Sequence, residues 1–160
     1  MKYKGQKVAN TNVEYVVFPR GDNNIVFIAK PVVNFDEFEK LYPEPKPPLI
    51  QYPETTGKPP ENDYTDATYR QRMQDFMESR YYWLILTTIK DSPDIEWETI
   101  NMDLPGSYKN FETELGEAEF LPAEVNRIRE AVSKVNALDE RQLDEARKSF
   151  LASLQAQQAS

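Results

Sequence analysis

The sequence predicts an α+β protein: an N-terminal β-hairpin with a short helix, a proline-rich connector, and a C-terminal lobe of about four helices. Three observations predict it. Residues 13–30 hold two runs rich in β-branched and aromatic residues around a cluster of turn formers. Seven of the twelve prolines fall between residues 43 and 60. From about residue 66 onward, apolar residues recur at helical spacing. The expected divisions are a hairpin lobe with its short helix over 1–42, a proline-rich linker over 43–62, a helical domain over 63–154 and a frayed tail over 155–160.

The hairpin rests on "VEYVVF" and "IVFIAK", joined by "PRGDNN", whose glycine is available for positive φ. The second strand is expected to continue through Pro31 into Val32 and Val33, with that proline at an edge position. Two strands alone are marginal in water, so the hairpin must pack on something or add to a partner's sheet. In "NFDEFEKL", Asn34 followed three residues later by Glu37 reads as a capping box. Phe35, Phe38 and Leu41 would share one face, and Pro43 ends the helix. The prolines of 43–60 read as an extended spacer with polyproline II character that sets the β lobe and the helical lobe at different angles. Pro45 and Pro48 make a P-x-x-P match, which the spacer accounts for without a dedicated ligand role.

A long helix is expected from about Asp66 to Lys90, with Tyr69, Met73, Phe76, Met77, Trp83 and Leu84 along one stripe. "WLILTTI" alone would suit a strand, but no glycine or proline separates it from the helical run. In "DSPDIEWETINMDLPG" Ile95 and Trp97 alternate with Glu96 and Glu98, which suits a short extended piece with one buried side. Three further helices follow. The first spans about Ser107–Leu115, with Ser107 as N-cap and Gly116 as stop. The second starts near Pro122 and carries Val125, Ile128, Val132 and Val135 at steps of three, four and three. The third is capped by Asp139, with Gln142 at its third position, a Leu138–Leu143 staple, and a face of Leu143, Ala146, Phe150 and Leu154.

Composition narrows the function classes. The net charge of −8 removes the basic footprint of a nucleic-acid binder and favours solubility. Without cysteine there are no disulfides, thiolate nucleophiles or zinc–thiolate sites. Without histidine the commonest neutral-pH base and metal ligand is missing. "YYWLIL" is too short to span a bilayer, and "MKYKGQKVAN" lacks the apolar core of a secretory leader. The expected compartment is therefore cytosolic and reducing.

Catalytic and ligand motifs are lacking. "DNNIVF" and "DSPDIEWE" both fail the calcium-loop pattern, and no phosphate-cradling, nucleophile-elbow or zinc-protease motif occurs. The acids near residues 112–119 and 139–145 are what 27 acids in 160 residues give by spacing alone. "RGD" at 20–22 matches the integrin tripeptide but reads more simply as the hairpin turn. The aromatics say more. Tyr, Trp and Arg anchor interfaces, and "RYYWLIL" concentrates them. Tyr81, Tyr82, Trp83 and Trp97, with the Val125, Ile128, Val132 and Val135 face, are the candidate protein-binding residues, against a core role for each. No enzyme and no cofactor is expected.

"KPVVNFDEFEKLYPEPKPP", "RYYWLILTTIKDSPDIEWETINMDLPGSYKNFETEL" and "EFLPAEVNRIREAVSKVNALDERQLDEARKSFL" together resemble the tail assembly chaperones of long-tailed bacteriophages. The resemblance covers residues 1–151. It implies binding of the helical tape measure protein before the tail tube polymerises around it, release as tube subunits add, and absence from the mature virion. It implies the host cytoplasm as location, with the tail tube protein and further copies of the chain as additional partners, and neither nucleic acid nor membrane. Two rival classes stand beside it: a structural virion protein of the neck, tail or baseplate, and an acidic inhibitor of a host or defence protein.

Overall fold

A computed structural model describes residues 1–137 and 140–159. In chain order the strands are β1 (Lys2–Tyr3), β2 (Gln6–Lys7), β3 (Glu14–Arg20), β4 (Asn23–Ala29), β5 (Leu49–Ile50) and β6 (Glu61–Asn62). The helices are α1 (Asp36–Leu41), α2 (Ala67–Thr88), α3 (Asn110–Glu117), α4 (Pro122–Val135) and α5 (Glu140–Gln158), with 3-10 turns at Glu54–Thr56 and Pro105–Ser107. The α+β class is as expected. The chain clusters into two compact units that cut across the expected boundaries. The first comprises Met1–Val33, Thr87–Glu96 and the described residues of Leu115–Ser160, and the second comprises Asn34–Leu86 and Trp97–Glu114.

In the first unit, β3 and β4 pair antiparallel with Val16 opposite Phe27 and Phe18 opposite Ile25. Their two-residue loop is Gly21–Asp22, with Gly21 at φ +55, the positive φ that such a loop needs at its first position. The RGD tripeptide is thus the hairpin turn. The core face carries Phe18, Phe27 and Ala29, all buried. Phe18, Phe27 and Phe120 meet edge-on at 5.5–6.0 Å between centroids. Helix α4 covers this face: Val16 packs against Ala29, Ala131 and Val135. A smaller turn joins β1 to β2 through Lys4 and Gly5, both at positive φ.

Strand β4 stops at Ala29 rather than running on to Val33. The chain is turned away by bonds to other segments: Lys30 N–H donates to the Thr88 carbonyl at 2.9 Å and Val32 N–H donates to Asn136 Oδ1 at 2.8 Å. Asn136 also donates from Nδ2 to Thr88 Oγ1 at 2.9 Å. This side chain ties the end of α4, the end of α2 and the 30–32 segment together, and it satisfies the buried Thr88 hydroxyl.

The second unit is built on aromatic rings. Phe38 contacts Tyr42, Phe76 and Trp83 at 5.4–5.9 Å, and Phe35 lies 5.3 Å from Trp83 with the Arg80 guanidinium 3.8 Å from its ring centroid. Leu41 is exposed and Tyr42 takes its place, because α1 ends at Leu41 and the chain turns Tyr42 inward. Asn34 makes an Asx turn to Asp36 N–H rather than a capping box, and Phe35 is the N-cap. Asp66 caps α2 through Tyr69 N–H at 2.8 Å.

The proline segment is not a straight spacer. It lies within the second unit and closes on itself: β5 pairs with β6, and Asp63 N–H donates to the Pro48 carbonyl at 2.7 Å. The prolines flank the ladder positions instead of occupying them, and Gly57 at φ +64 supplies the reversal.

At α3, Ser107 is not the N-cap. Its hydroxyl accepts from Asn101 N–H and donates within the 101–104 turn, and a 3-10 turn precedes the helix. Gly116 does not stop α3 either. Glu119 takes the left-handed conformation at φ +61, with its N–H on the Gly116 carbonyl and Phe120 N–H on the Leu115 carbonyl, a Schellman pair. Helix α5 extends to Gln158, beyond the expected fraying point at 155. The cap and staple expected at Leu138 and Asp139 lie outside the described residues, and so does the side chain of Gln142.

Candidate protein-binding surface

The residues singled out by sequence divide sharply. Trp83 is 3% exposed and sits among Phe35 and Phe38. Ile128, Val132 and Val135 are buried under the β3–β4 hairpin, and Val125 is half-buried at the rim of the same face. These are core residues, and the α4 face expected to receive a partner is the face that closes the hairpin. Trp97 is half-buried 5.7 Å from Phe111, and Tyr82 is half-buried 6.3 Å from the same ring. Tyr81 alone of the set is exposed, at 47%.

Exposed apolar surface lies elsewhere, on α5 and on the outer face of β3. Along α5, Leu143, Phe150 and Leu154 follow a helical stripe with Ala146, and Phe150 is 60% exposed. Every described side chain of this helix is exposed. The spacing of this face is visible in the sequence, and its lack of cover is not. On β3, Tyr15 and Val17 are 65% and 50% exposed. Their opposites across the ladder are Ile28 and Val26, which extend the same outer face.

Charge around these surfaces is arranged in pairs. Arg20 grips Glu124 with two nitrogens, at 2.7 and 3.1 Å, and lies 4.8 Å over the Phe120 ring. That guanidinium, with the Leu121 N–H at 2.9 Å, holds the Glu124 carboxyl below the usual carboxylate range. In the second unit, burial acts to raise the Glu114 carboxyl. The hydroxyl and N–H of Thr99 and the N–H of Glu98 outweigh it, so the group sits below its ordinary value. Glu114 thereby pins the bend at 98–100 to α3.

A groove of about 590 Å³ runs between β3, α4 and α5. Glu14, Glu130 and Glu145 line it together with Arg127, Lys134 and Arg141, and Lys134 already bridges Glu14 at 2.8 Å. With both signs interleaved, the groove offers no single-sign field to select a charged ligand. Among the described residues, no group of three or more acids is placed to hold a metal ion, and no helix is long and apolar enough to cross a membrane.

No protein-family model, no curated protein and no solved structure matches this chain.

Proposed function

We propose that this chain is a non-enzymatic assembly chaperone of a long-tailed bacteriophage, which binds the tape measure protein and keeps it soluble until the tail tube polymerises around it. The observation that supports this most is α5, a 19-residue amphipathic helix with its apolar stripe uncovered. A helical client with a matching stripe would lie along Leu143, Phe150 and Leu154 in helix-to-helix fashion. The net charge of −8 would keep many bound copies dispersed along one client. The client's identity rests on the sequence resemblance, and with it the host cytoplasm as location and displacement by the tail tube protein as the release step.

The test is an affinity pulldown of the tagged chain from cells making the whole tail gene set, alongside a protein census of finished particles. Recovery of a long helical tape measure protein, with this chain missing from particles, is expected. A fixed copy number in particles would make it a structural virion protein and remove the holding mechanism.

A further inference from the structure

The two edges of the β3–β4 hairpin are treated differently. The two-residue loop makes Arg20–Asn23 the closing bonded pair, so the bonded pairs alternate at Phe18–Ile25, Val16–Phe27 and Glu14–Ala29. The N–H groups of Ile28, Tyr15 and Val17 then point away from the ladder. On the β4 side the end of this edge is tied down: Ile28 N–H donates to Ser92 Oγ at 2.9 Å, and just beyond the strand Lys30 N–H donates to Thr88. On the β3 side no strand pairs with Tyr15 or Val17 among the described residues.

Free edges in natural proteins are guarded by charge, proline, bulges or cover. The stretch Tyr15–Phe18 carries no charge. The two charged residues of β3 are turned onto α4: Glu14 is bound by Lys134 and Arg20 by Glu124. Pro19 stands beyond this stretch, toward the turn, where it ends pairing without blocking it. The edge is bare, apolar and electrically neutral, on a chain that is otherwise strongly acidic.

We infer that this edge pairs with the β3 edge of a second copy of the chain, antiparallel about a two-fold axis at Val16. In that register Tyr15 of each copy lies opposite Val17 of the other. Each such pair exchanges two main-chain bonds, four in all, so the edge is its own complement. The two hairpins become one four-stranded sheet, which removes the marginality of a two-stranded one. The outer faces, each of Tyr15, Val17, Val26 and Ile28, merge into one apolar strip. A second copy offers the same strand to this edge, and the uncharged stretch is the place where two chains of net charge −8 meet with least repulsion. The inference does not depend on the proposed client.

The chain has no cysteine, so cross-linking reads the register directly. Mild oxidation of the full-length double variant Tyr15→Cys/Val17→Cys is expected to give a covalent dimer. Val17→Cys alone is not, because position 17 faces position 15. In sedimentation velocity the wild-type chain is expected to show a concentration-dependent dimer that tightens with added salt. Val17→Lys should weaken it about tenfold or more by charging the edge and removing apolar contact. A chain that stays monomeric from micromolar to millimolar at both salts overturns the inference. So does a dimer that Val17→Lys leaves unchanged, or a single variant that cross-links as well as the double one. If Val17→Lys lowers the melting temperature, the cross-linking comparison decides.

Discussion

Helices α4 and α5 are written in the same language and end in opposite places. Both carry apolar residues at steps of three and four, α4 with Val125, Ile128, Val132 and Val135, α5 with Leu143, Ala146, Phe150 and Leu154. In α4 that face is sealed against the hairpin, with Ile128 fully buried. In α5 it is open along its described length. An amphipathic pattern therefore specifies that a helix needs a partner surface and is silent on whether that surface belongs to the same chain. The β3–β4 hairpin repeats the lesson at the level of edges, one tied at its end by Ser92 and Thr88, the other without a strand partner among the described residues.

The sharpest way to break this comparison is to damage both faces equally. Ile128→Ala should cost about 2–4 kcal/mol in urea unfolding, because it empties a fully enclosed site. Leu154→Ala should cost about 0.5 kcal/mol or less, as an exposed position does. Equal losses would mean that α5 has an intramolecular partner. Next in size is Asn136→Ala. It strands Val32 N–H and the Thr88 hydroxyl, and should cost about 1–3 kcal/mol in the same assay.

The smallest effects are electrostatic. Glu124 and Glu114 have folded-state pKa values below their ordinary ones, so the stability they contribute is present above the ordinary carboxylate pKa. It is lost as pH falls through the lowered folded values. Thermal melts between pH 7 and pH 3 should show this acid loss. Glu124→Gln and Glu114→Gln should each flatten it, Glu124→Gln by freeing Arg20 and Glu114→Gln by loosening the 98–100 segment. A wild-type pH dependence retained in both variants would assign the acid sensitivity to other carboxylates.

What could be read from the sequence was what is decided locally. The hairpin follows from two β-rich runs and a Gly-Asp loop, and α2 from an unbroken helical stretch behind an Asp cap. What escaped depends on distant residues. The proline segment looked like a spacer because its prolines are dense, yet the ladder needs only Leu49, Ile50, Glu61 and Asn62, none of them proline. The Asn136 tie and the Glu114 latch join positions far apart in sequence, and neither residue type announces such a role. Glu119 fills the left-handed cap position that glycine normally takes, while Gly116 lies inside the helix. Of the residues that the aromatic argument singles out, Tyr81 is exposed. Trp83, Ile128, Val132 and Val135 are core, the reading that stands beside the binding one in the sequence because buried and binding residues share a composition. The stripe of α5 was visible, and only its exposure was not.

The proposed function stands on the open face of α5 as the place where the client is held. The measurement that tests it most directly is co-expression of the tape measure protein with the wild-type chain or with the triple variant Leu143→Ser/Phe150→Ser/Leu154→Ser, followed by the fraction of tape measure protein left soluble. The wild type is expected to keep it soluble, and the triple variant, unfolding at the same urea concentration, to let it aggregate. A variant that folds normally and keeps the client soluble as well as the wild type would contradict it.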